Sequence, residues 1–349
     1  MQPEKQALLQ KLTAHEKLNK AQWMTLLTDV TEDDRAEAAK AARAEALQIF
    51  GNKVFIRGIV EFSNYCKNDC LYCGIRRSNA NAQRYRLTDD EILECCDEGY
   101  AIGYRTFVLQ SGEDFTYTAS HIAELVRRIK AAHPDCAVTL SLGEREYDEL
   151  KLMRAAGADR YLLRHETANA AHYGMLHPPQ MSFAHRMECL RGLKRLGYQT
   201  GAGMMIGAPY QTAEHLAEDM CFLQEFRPEM IGMGPFLPHK DTPFAKEPKG
   251  SYELTLYLLS LCRLMLPHVL LPATTALGTI HPQGREQGIL AGANVIMPNL
   301  SPTAVRKKYM LYDNKICTED QSSDCRFCLQ QRMKSIGYEV AVTRGDYAE

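Results

Sequence analysis

The sequence has little net charge and no long apolar run. Forty-one lysines and arginines stand against 43 aspartates and glutamates, so no overall field attracts nucleic acid or an anionic membrane. The most apolar window, residues 254–271, contains Arg263, Pro267 and His268, which favours a buried helix followed by a strand over a membrane span. The first residues, MQPEKQALLQKL, lack the apolar core of a secretory signal, which predicts a cytoplasmic protein.

Low-complexity segments and flexible linkers are also absent. The composition, 45% hydrophobic and 24% charged, excludes the disordered and collagen-like classes. No basic stripe with interleaved aromatic residues appears, so we expect no nucleic-acid partner. Twelve cysteines are too few and too scattered for a small disulfide scaffold, and in a reducing cytosol a cysteine cluster indicates a metal site.

The pattern of apolar residues predicts an α/β fold. Helical spacing occupies the first fifty residues, with Thr31 as an N-cap and Gly51 as the stop. Eight strand candidates follow, at residues 54–62, 105–110, 137–142, 160–164, 200–206, 229–236, 269–275 and 294–299. Helix-like segments lie between them, at residues 88–102, 119–132, 146–156, 182–196, 212–226, 252–266 and 282–291.

This alternation, at roughly 31 residues per unit, favours a complete (β/α)8 TIM-type barrel. A six-stranded partial barrel and a doubly wound open sheet remain alternatives. We expect an N-terminal helical extension (1–52), the barrel (53–300) and a short C-terminal extension (301–349) that carries cysteines.

Three cysteines follow the first strand closely. Cys66, Cys70 and Cys73 fall within eight residues, where barrel folds carry their chemistry. Three thiolates suit zinc or an iron–sulfur cluster, but a structural zinc ion needs a fourth ligand and the nearest histidine is His121. The C-x₃-C-x₂-C spacing, with Tyr72 before the last cysteine, resembles the signature of the radical S-adenosylmethionine (SAM) superfamily.

That resemblance implies a 4Fe-4S cluster with one iron open to SAM. It further implies reductive cleavage of SAM to a 5′-deoxyadenosyl radical, which a closed barrel lumen would confine. The segment Gln110–Glu113 resembles the superfamily's Gly-Gly-Glu motif, which holds the SAM ammonium, with Ser111 in place of the first glycine. The segment Gly203–Gly207 resembles the motif beside adenine.

Two charges on the first strand interrupt an otherwise apolar pattern. Buried parallel strands usually lack charges, so Arg57 and Glu61 are exceptions. A stiffening ion pair and a functional role both remain open for Glu61. For Arg57 we favour anion binding in the lumen together with Arg160, because arginine holds a carboxylate bidentately without being deprotonated.

Longer segments resemble the HydE family of radical SAM maturases of FeFe-hydrogenase over about residues 53–330. They include IRGIVEFSNYCKNDCLYCGIRR, LQSGED, GADRYLLRHETAN, GPFLPHKDTP and PATTALGT. Biotin synthase and methylornithine synthase share the cysteine loop and barrel.

The resemblance implies assembly of the hydrogenase active site on a cysteine-derived organometallic iron complex. Companion maturases and an electron donor such as ferredoxin or flavodoxin are the implied partners. The implied cluster ligands are Cys66, Cys70 and Cys73. The implied SAM neighbours are Tyr72, Gln110, Ser111, Gly112, Glu113, Thr139, Ser141, Arg164, Glu166, Arg186, Met205 and Leu237. The implied substrate-side residues are Arg57, Arg160, Thr274, Thr275, Met297, Tyr309 and Tyr312, although Tyr309 and Tyr312 also suit a packed helix face and Met297 a core position.

The C-terminal extension carries three further cysteines. Cys317, Cys325 and Cys328 match the spacing of a second cluster in some family members, either 2Fe-2S or 4Fe-4S. Reduced surface cysteines and an adventitious zinc site are the alternatives. The remaining six cysteines resemble buried small hydrophobes. His165, beside Arg164 and Glu166, suits either the site or a capping or core role.

Two other functions compete with hydrogenase maturation. A radical SAM amino-acid mutase, similar to methylornithine synthase, would use the same cluster loop. A metallocluster carrier or zinc scaffold would bind metal without catalysis.

Overall fold

The computed structural model describes residues 1–319 and 322–348, without the side chain of Ser323. Its helices are α1 (Pro3–Thr13), α2 (Lys20–Leu27), α3 (Glu32–Phe50), α4 (Asp89–Ala101), α5 (Ala119–Ala132), α6 (Tyr147–Ala155), α7 (Ala170–Leu176), α8 (Phe183–Arg195), α9 (Ala213–Phe226), α10 (Tyr252–Met265), α11 (Thr275–Ile280), α12 (Gly284–Leu290), α13 (Thr303–Arg306) and α14 (Ser322–Ser335). Its strands are β1 (Lys53–Ile56), β2 (Gly58–Ser63), β3 (Thr106–Ser111), β4 (Ala137–Ser141), β5 (Arg160–Leu162), β6 (Gln199–Ala202), β7 (Met205–Ile206), β8 (Met230–Ile231), β9 (Gly234–Pro235), β10 (Val295–Ile296) and β11 (Glu339–Ala341).

The helix boundaries follow local signals in the sequence. Thr31 and Thr88 both form capping boxes, at the starts of α3 and α4. Their hydroxyls accept otherwise unpaired N–H groups of the first turn, which explains why the helices begin there. Gly51, at a φ of 62°, ends α3. The predicted amino-terminal helices are thus confirmed.

The strands pair in parallel, as the alternation predicts, and form three sheets among the described residues. The central sheet runs in the order β2, β3, β4, β5, β6 and β8, and each of its strand pairs is parallel. β1 runs directly into β2, with Arg57 between them, and pairs with β10 and β11. Parallel strands end on the same side of the sheet, so the loops at their carboxyl ends gather at one face.

The predicted seventh strand is reduced to isolated bridges. Leu270 bridges Met230, and Pro272 bridges Val295. Proline has no N–H for a ladder, and Thr275 already begins α11, so no longer strand forms. Ile59 bridges Asn299, and β1 pairs with β10 in parallel.

The C-terminal extension contains structure that the sequence pattern did not predict. Its residues form α14 and β11, and β11 pairs with β1 through Lys53 and Glu339. The tail therefore supplies the edge strand of a small sheet in the order β10, β1 and β11, which is separate from the central sheet. Within residues 1–319 and 322–348, no helix is long and apolar enough to cross a membrane.

Candidate active site

A cavity of about 370 Å³ lies among the loops that follow the carboxyl ends of the strands. Cavities of this size typically hold small ligands. The cysteine loop between β2 and α4, the ends of β3, β4 and β5, and the segment after α13 all contribute side chains. Since ligands of parallel α/β folds bind at this end of the sheet, the cavity is the candidate active site.

The three predicted cluster ligands lie on one loop beside this cavity. Cys66, Cys70 and Cys73 all line it, and each is partly buried. Arg84 supports the loop, because its guanidinium donates to the backbone carbonyls of residues 64, 75, 76 and 79 at 2.5, 2.8, 2.6 and 3.3 Å. These bonds hold an irregular segment in one conformation, so the three thiols all lie beside the same cavity.

The donor set fits an iron–sulfur cluster. All three donors are soft sulfurs, which such clusters use. In the described part of the chain, no three His, Cys, Asp or Glu side chains converge on a single-ion site. Cysteine ligands of a cluster are spaced around several irons and need not converge on a point.

Burial keeps these thiols protonated when no metal is bound. Burial raises the pKa of Cys73 to about 12. Burial, with repulsion from the neighbouring thiols, raises the pKa of Cys70 well above its ordinary value, and burial also raises the pKa of Cys66. A cluster is ligated by thiolates, so loading must displace these protons.

The loop after β3 packs tightly against the cysteine loop. An added Cβ at Gly112 would lie 2.2 Å from the carbonyl oxygen of Tyr65, so glycine is required there. The backbone N–H of Lys67 donates to the carbonyl of Glu113 at 2.9 Å, and their side chains form an ion pair at 3.0 Å. The predicted Gly-Gly-Glu-like segment therefore lies beside the three cysteines that are the predicted cluster ligands.

Two ion pairs place both signs of charge on the cavity wall. Arg164 donates two hydrogen bonds of 2.9 Å to the carboxylate of Glu166. Arg186 donates to Glu144 at 2.5 Å and to the carbonyl of Arg164 at 2.7 Å. Glu166 has a φ of 65°, and strained backbone of this kind concentrates at functional sites. A ligand that carries both an ammonium and a carboxylate finds partners for each here.

His165 supports this part of the wall from behind. Its side chain is fully buried and does not line the cavity. Its Nδ1 accepts from the backbone N–H of Gly203 at 3.2 Å, and its Nε2 lies 3.3 Å from the carboxylate of Asp219. These contacts fit the core role that the sequence left open for His165.

The cavity brings together most of the residues that resemblance assigned to SAM. Thr139 is the exception, since it lies in the middle of β4 and lines a separate small cavity. The remaining eleven line the main cavity: Tyr72, Gln110, Ser111, Gly112, Glu113, Ser141, Arg164, Glu166, Arg186, Met205 and Leu237.

The predicted substrate-side residues divide into two groups. Five of them line the main cavity: Thr274, Thr275, Met297, Tyr309 and Tyr312. Arg57 and Arg160 do not line the main cavity. They line the same small cavity as Thr139, and the volume of this cavity, about 10 Å³, is near that of one water molecule. Arg160 is the first residue of β5 and therefore lies at the end of the sheet opposite the catalytic loops.

Arg57 is buried without a carboxylate partner among the described residues. Its side chain is 1% exposed, and Nη1 contacts the sulfur of Met230 at 2.8 Å. Nε and Nη2 have no hydrogen-bond partner in the described structure. Burial, with repulsion from Arg160, lowers its pKa well below the ordinary value. Arg160 differs, since it pairs with Asp346 at 2.6 Å.

Sequence reasoning missed one side chain that lines the cavity and one that contacts a lining residue. Lys315 lines the cavity and pairs with Glu61, and no local pattern indicates it, because residues 309–315 form neither a helix nor a strand. His177 accepts a hydrogen bond from the hydroxyl of Tyr72 at 3.1 Å, and no local pattern indicates that contact.

The strap, residues 309–315, closes one side of the cavity. The backbone N–H of Gly74, next to the last cluster cysteine, donates to the carbonyl of Leu311 at 2.9 Å. The N–H of Asp313 donates to the carbonyl of Pro238 at 3.1 Å. The strap therefore links the cysteine loop to the loop after β9.

The three tail cysteines lie around α14. Cys325 and Cys328 are one turn apart on this helix, which places them on one face, and Cys317 precedes it. Cys328 is exposed, whereas Cys317 and Cys325 are partly buried. None of the twelve cysteines, all of which are described, forms a disulfide.

Comparisons with known proteins agree with this geometry. Residues 60–223 match the profile of the radical SAM superfamily. The FeFe-hydrogenase maturase subunit HydE of Thermotoga maritima is 49% identical over 82% of this chain and 82% of its own length. The 3-methylornithine synthase of Methanosarcina acetivorans is 28% identical over 90% of this chain and 88% of its own.

Solved structures show the same architecture. A crystal structure of methylornithine synthase superposes with a TM-score of 0.84, at 28% identity, over 96% of this chain and 97% of that one. A structure of the hydrogenase maturase HydG superposes with a TM-score of 0.80, at 20% identity, over 96% of this chain and 75% of that one, which shows the shared fold. The identity and coverage with the Thermotoga protein, on a cavity lined by the three cysteines, show that this chain belongs to the HydE family of FeFe-hydrogenase maturases in the radical SAM superfamily.

Proposed function

We propose that this chain is a radical SAM enzyme that acts in assembly of the FeFe-hydrogenase active site on a cysteine-derived iron complex. The observation that carries the proposal is one cavity bounded by three cysteines on one side and by the strap on the other. The 49% identity to a hydrogenase maturase supports a role in hydrogenase assembly over other radical SAM reactions.

Cys66, Cys70 and Cys73 would hold the 4Fe-4S cluster. When bound, the cluster and SAM supply reductive cleavage to a 5′-deoxyadenosyl radical. The chain's own residues orient the ligands and exclude water. Glu113 and Glu166 offer carboxylates to the SAM ammonium, and the other proposed SAM contacts are the remaining lining residues given above.

The substrate is proposed to lie on the side formed by Thr274, Thr275, Met297, Tyr309 and Tyr312. Burial, with the Glu61 carboxylate nearby, raises the pKa of Tyr309 well above its usual range. Burial raises the pKa of Tyr312 as well. Both phenols therefore remain neutral hydrogen-bond donors near pH 7.

Arg57 and Arg160 are proposed to bind an anion at the small cavity with Thr139. Two unpaired guanidinium nitrogens of Arg57 support this role, because buried charge without a partner is costly unless a ligand occupies it. The cavity's small volume means that side chains would have to move to admit such an anion.

A complete (β/α)8 barrel is proposed as the enclosing architecture, with the domain boundaries 1–52, 53–300 and 301–349. The bridges at Leu270 and Pro272, which connect β8 towards β10, support closure. A closed lumen would keep a reactive intermediate from solvent.

The proposed setting is cytoplasmic, with companion maturases and a ferredoxin or flavodoxin as partners and no nucleic-acid or membrane partner. Cys317, Cys325 and Cys328 are proposed to hold a second iron–sulfur cluster. The i, i+3 placement of two of these cysteines on α14 supports this.

The test begins with anaerobic reconstitution. The protein is expected to show the broad charge-transfer absorbance of a 4Fe-4S cluster, to cleave SAM to 5′-deoxyadenosine and to activate hydrogenase in a defined maturation mixture. Replacing Cys66, Cys70 or Cys73 with alanine is expected to abolish all three, whereas Cys221→Ala, a partly buried cysteine on α9, leaves them intact.

Each step can contradict a different part of the proposal. Absence of SAM cleavage in a cluster-loaded protein would refute the radical SAM reaction. Cleavage without hydrogenase activation would favour an amino-acid mutase, which the superposition on methylornithine synthase also allows. A colourless protein that binds only zinc would favour the scaffold.

A further inference from the structure

The structure assigns Glu61 and Lys315 a role in substrate recognition. We propose that this pair binds the head group of an α-amino acid, with Lys315 on the α-carboxylate and Glu61 on the α-ammonium. The inference rests on the proposed function only because that function places the substrate in this cavity. It deepens the proposed function by naming the part of the substrate that the cavity recognises.

The two charges meet from distant parts of the chain. Nζ of Lys315 lies 2.5 Å from Oε1 of Glu61 and 3.1 Å from the carbonyl oxygen of Tyr309. The other carboxylate oxygen of Glu61 accepts from Nδ2 of Asn299 at 2.7 Å. The side chains of Lys315 and Glu61 are only 8% and 4% exposed, yet both line the cavity.

Each partner keeps unused hydrogen-bonding capacity. A lysine ammonium has three N–H bonds, and Lys315 directs two at described acceptors. A carboxylate offers about four lone-pair sites, and described side chains use two of those on Glu61. The third N–H of Lys315, whose Nζ also lies 5.1 Å from the centre of the Tyr309 ring, and at least one acceptor site of Glu61 have no hydrogen-bond partner among the described residues.

The pair is separate from the charges beside the cluster. Among the described residues that line the cavity, the cations are Arg164, Arg186 and Lys315. Arg164 lies just beyond β5, and two strands of the sheet separate β5 from β2, which carries Glu61. The arginine pairs suit SAM, which leaves Lys315 as the cation for a second ligand.

The opposite charges of Lys315 and Glu61 favour a zwitterionic ligand beside this pair. An anion alone would add a net charge beside two almost fully buried side chains, and removing charge from water is costly unless it is paired. A head group with adjacent opposite charges matches Lys315 and Glu61 and adds none. Hydrogen bonds between charged partners are also the stronger kind.

The test compares three thioethers, each bound to the SAM-loaded, cluster-containing protein and measured by anaerobic calorimetry. S-methyl-L-cysteine carries both charges, 2-(methylthio)ethylamine lacks the carboxylate, and 3-(methylthio)propanoate lacks the ammonium. The wild type is expected to bind S-methyl-L-cysteine at least about tenfold more tightly than either analogue.

Variants separate the two contacts. Lys315→Met is expected to remove the preference for S-methyl-L-cysteine over the amine, and Glu61→Gln the preference over the propanoate. Lys315→Arg keeps the positive charge and is expected to retain most of the preference. The matched control is Lys307→Met, an exposed lysine near the strap that pairs with Glu319, and it is expected to bind as the wild type does.

Several results would overturn the inference. They are the absence of any preference in the wild type, an unchanged preference in Lys315→Met, and a preference lost in Lys307→Met as well. If Lys315→Met fails to load its cluster, Lys315→Arg decides: a folded arginine variant without the preference refutes the proposal. A wild type with the preference that never activates hydrogenase refutes the maturase function and leaves this inference standing.

Discussion

The hydroxyl of Tyr72 lies 3.1 Å from Nε2 of His177, and Nδ1 of the same ring lies 2.9 Å from the carbonyl oxygen of Tyr173. A carbonyl only accepts, so Nδ1 carries the hydrogen and Nε2 accepts from the tyrosine. Burial, with repulsion from Arg186, lowers the pKa of His177 to about 4. The aromatic residue before the last cluster cysteine is thus held by a neutral imidazole.

Replacing His177 with glutamine is expected to make the free energy of unfolding less dependent on pH below about pH 6.5. An unfolded histidine has a pKa of about 6.5, so between that value and the folded value of about 4 only the unfolded chain takes up the proton. In the wild type, this proton uptake lowers the free energy of unfolding by up to about 3 kcal/mol as the pH falls from about 6.5 to about 4, and it has no effect above about pH 6.5. The variant lacks this cost.

Urea unfolding of the cluster-free protein at about pH 7 and about pH 5 measures the effect. His15→Gln, the same substitution at a half-exposed histidine that pairs with Glu45 at 3.2 Å, is measured alongside as the surface comparison. If the wild type and His177→Gln lose the same free energy of unfolding between the two pH values, the assignment of His177 as a buried, neutral imidazole is wrong.

Replacing Arg57 with leucine is expected to abolish turnover while cluster loading stays intact. Because two nitrogens of this guanidinium have no described partner, the variant should also melt at or above the wild-type temperature. Thermal unfolding, iron content and hydrogenase activation measure the three effects.

Arg263→Leu provides the matched comparison for Arg57→Leu. Arg263 is equally buried, but its guanidinium donates to the carbonyls of Gly292, Pro267 and Val269 at 2.9, 2.6 and 2.8 Å. Its loss leaves buried acceptors unpaired and should lower stability by about 1–3 kcal/mol or more. Unchanged turnover in Arg57→Leu would refute the anion-binding role.

A methyl group at Gly74 is expected to displace the strap. An added Cβ would lie 2.1 Å from the carbonyl oxygen of Met310, so the backbone of either the strap or the cysteine loop must shift. Gly74→Ala should therefore load less iron and become more sensitive to proteolysis in the strap. Gly174→Ala is the control, since its Cβ meets nothing within 4 Å and alanine favours α7. Equal iron content in both variants would contradict the fit at Gly74.

Changing Cys317, Cys325 and Cys328 together to serine is expected to reduce the iron content to that of one cluster. SAM cleavage should continue, because these residues do not line the main cavity. Iron analysis and quantification of 5′-deoxyadenosine measure the two effects, with Cys221→Ser as the control. Iron content equal to that of the wild type would refute the second cluster.

Much of the fold and site is encoded locally. The cysteine spacing, the capping residues and the helix-ending glycines act over a few residues, so they can be interpreted without tertiary contacts. The alternation of strands and helices, confirmed in a parallel sheet, follows from the same short-range periodicity. Of the twelve residues that family resemblance assigns to SAM, eleven line the cavity.

What the sequence determined by itself was therefore the alternation of strands and helices and the placing of Cys66, Cys70 and Cys73 on one loop beside the cavity. It did not predict β11, and its seventh strand is only a pair of bridges. Only the tertiary structure decided which side chains share a cavity, because that depends on contacts between strands far apart in the sequence, whereas a period of two residues specifies only a face. That is why Arg57 and Arg160 lie in a separate small cavity. It also decided the partner of Glu61, since Lys315 is 254 residues away and reaches it only when the strap folds across the barrel loops.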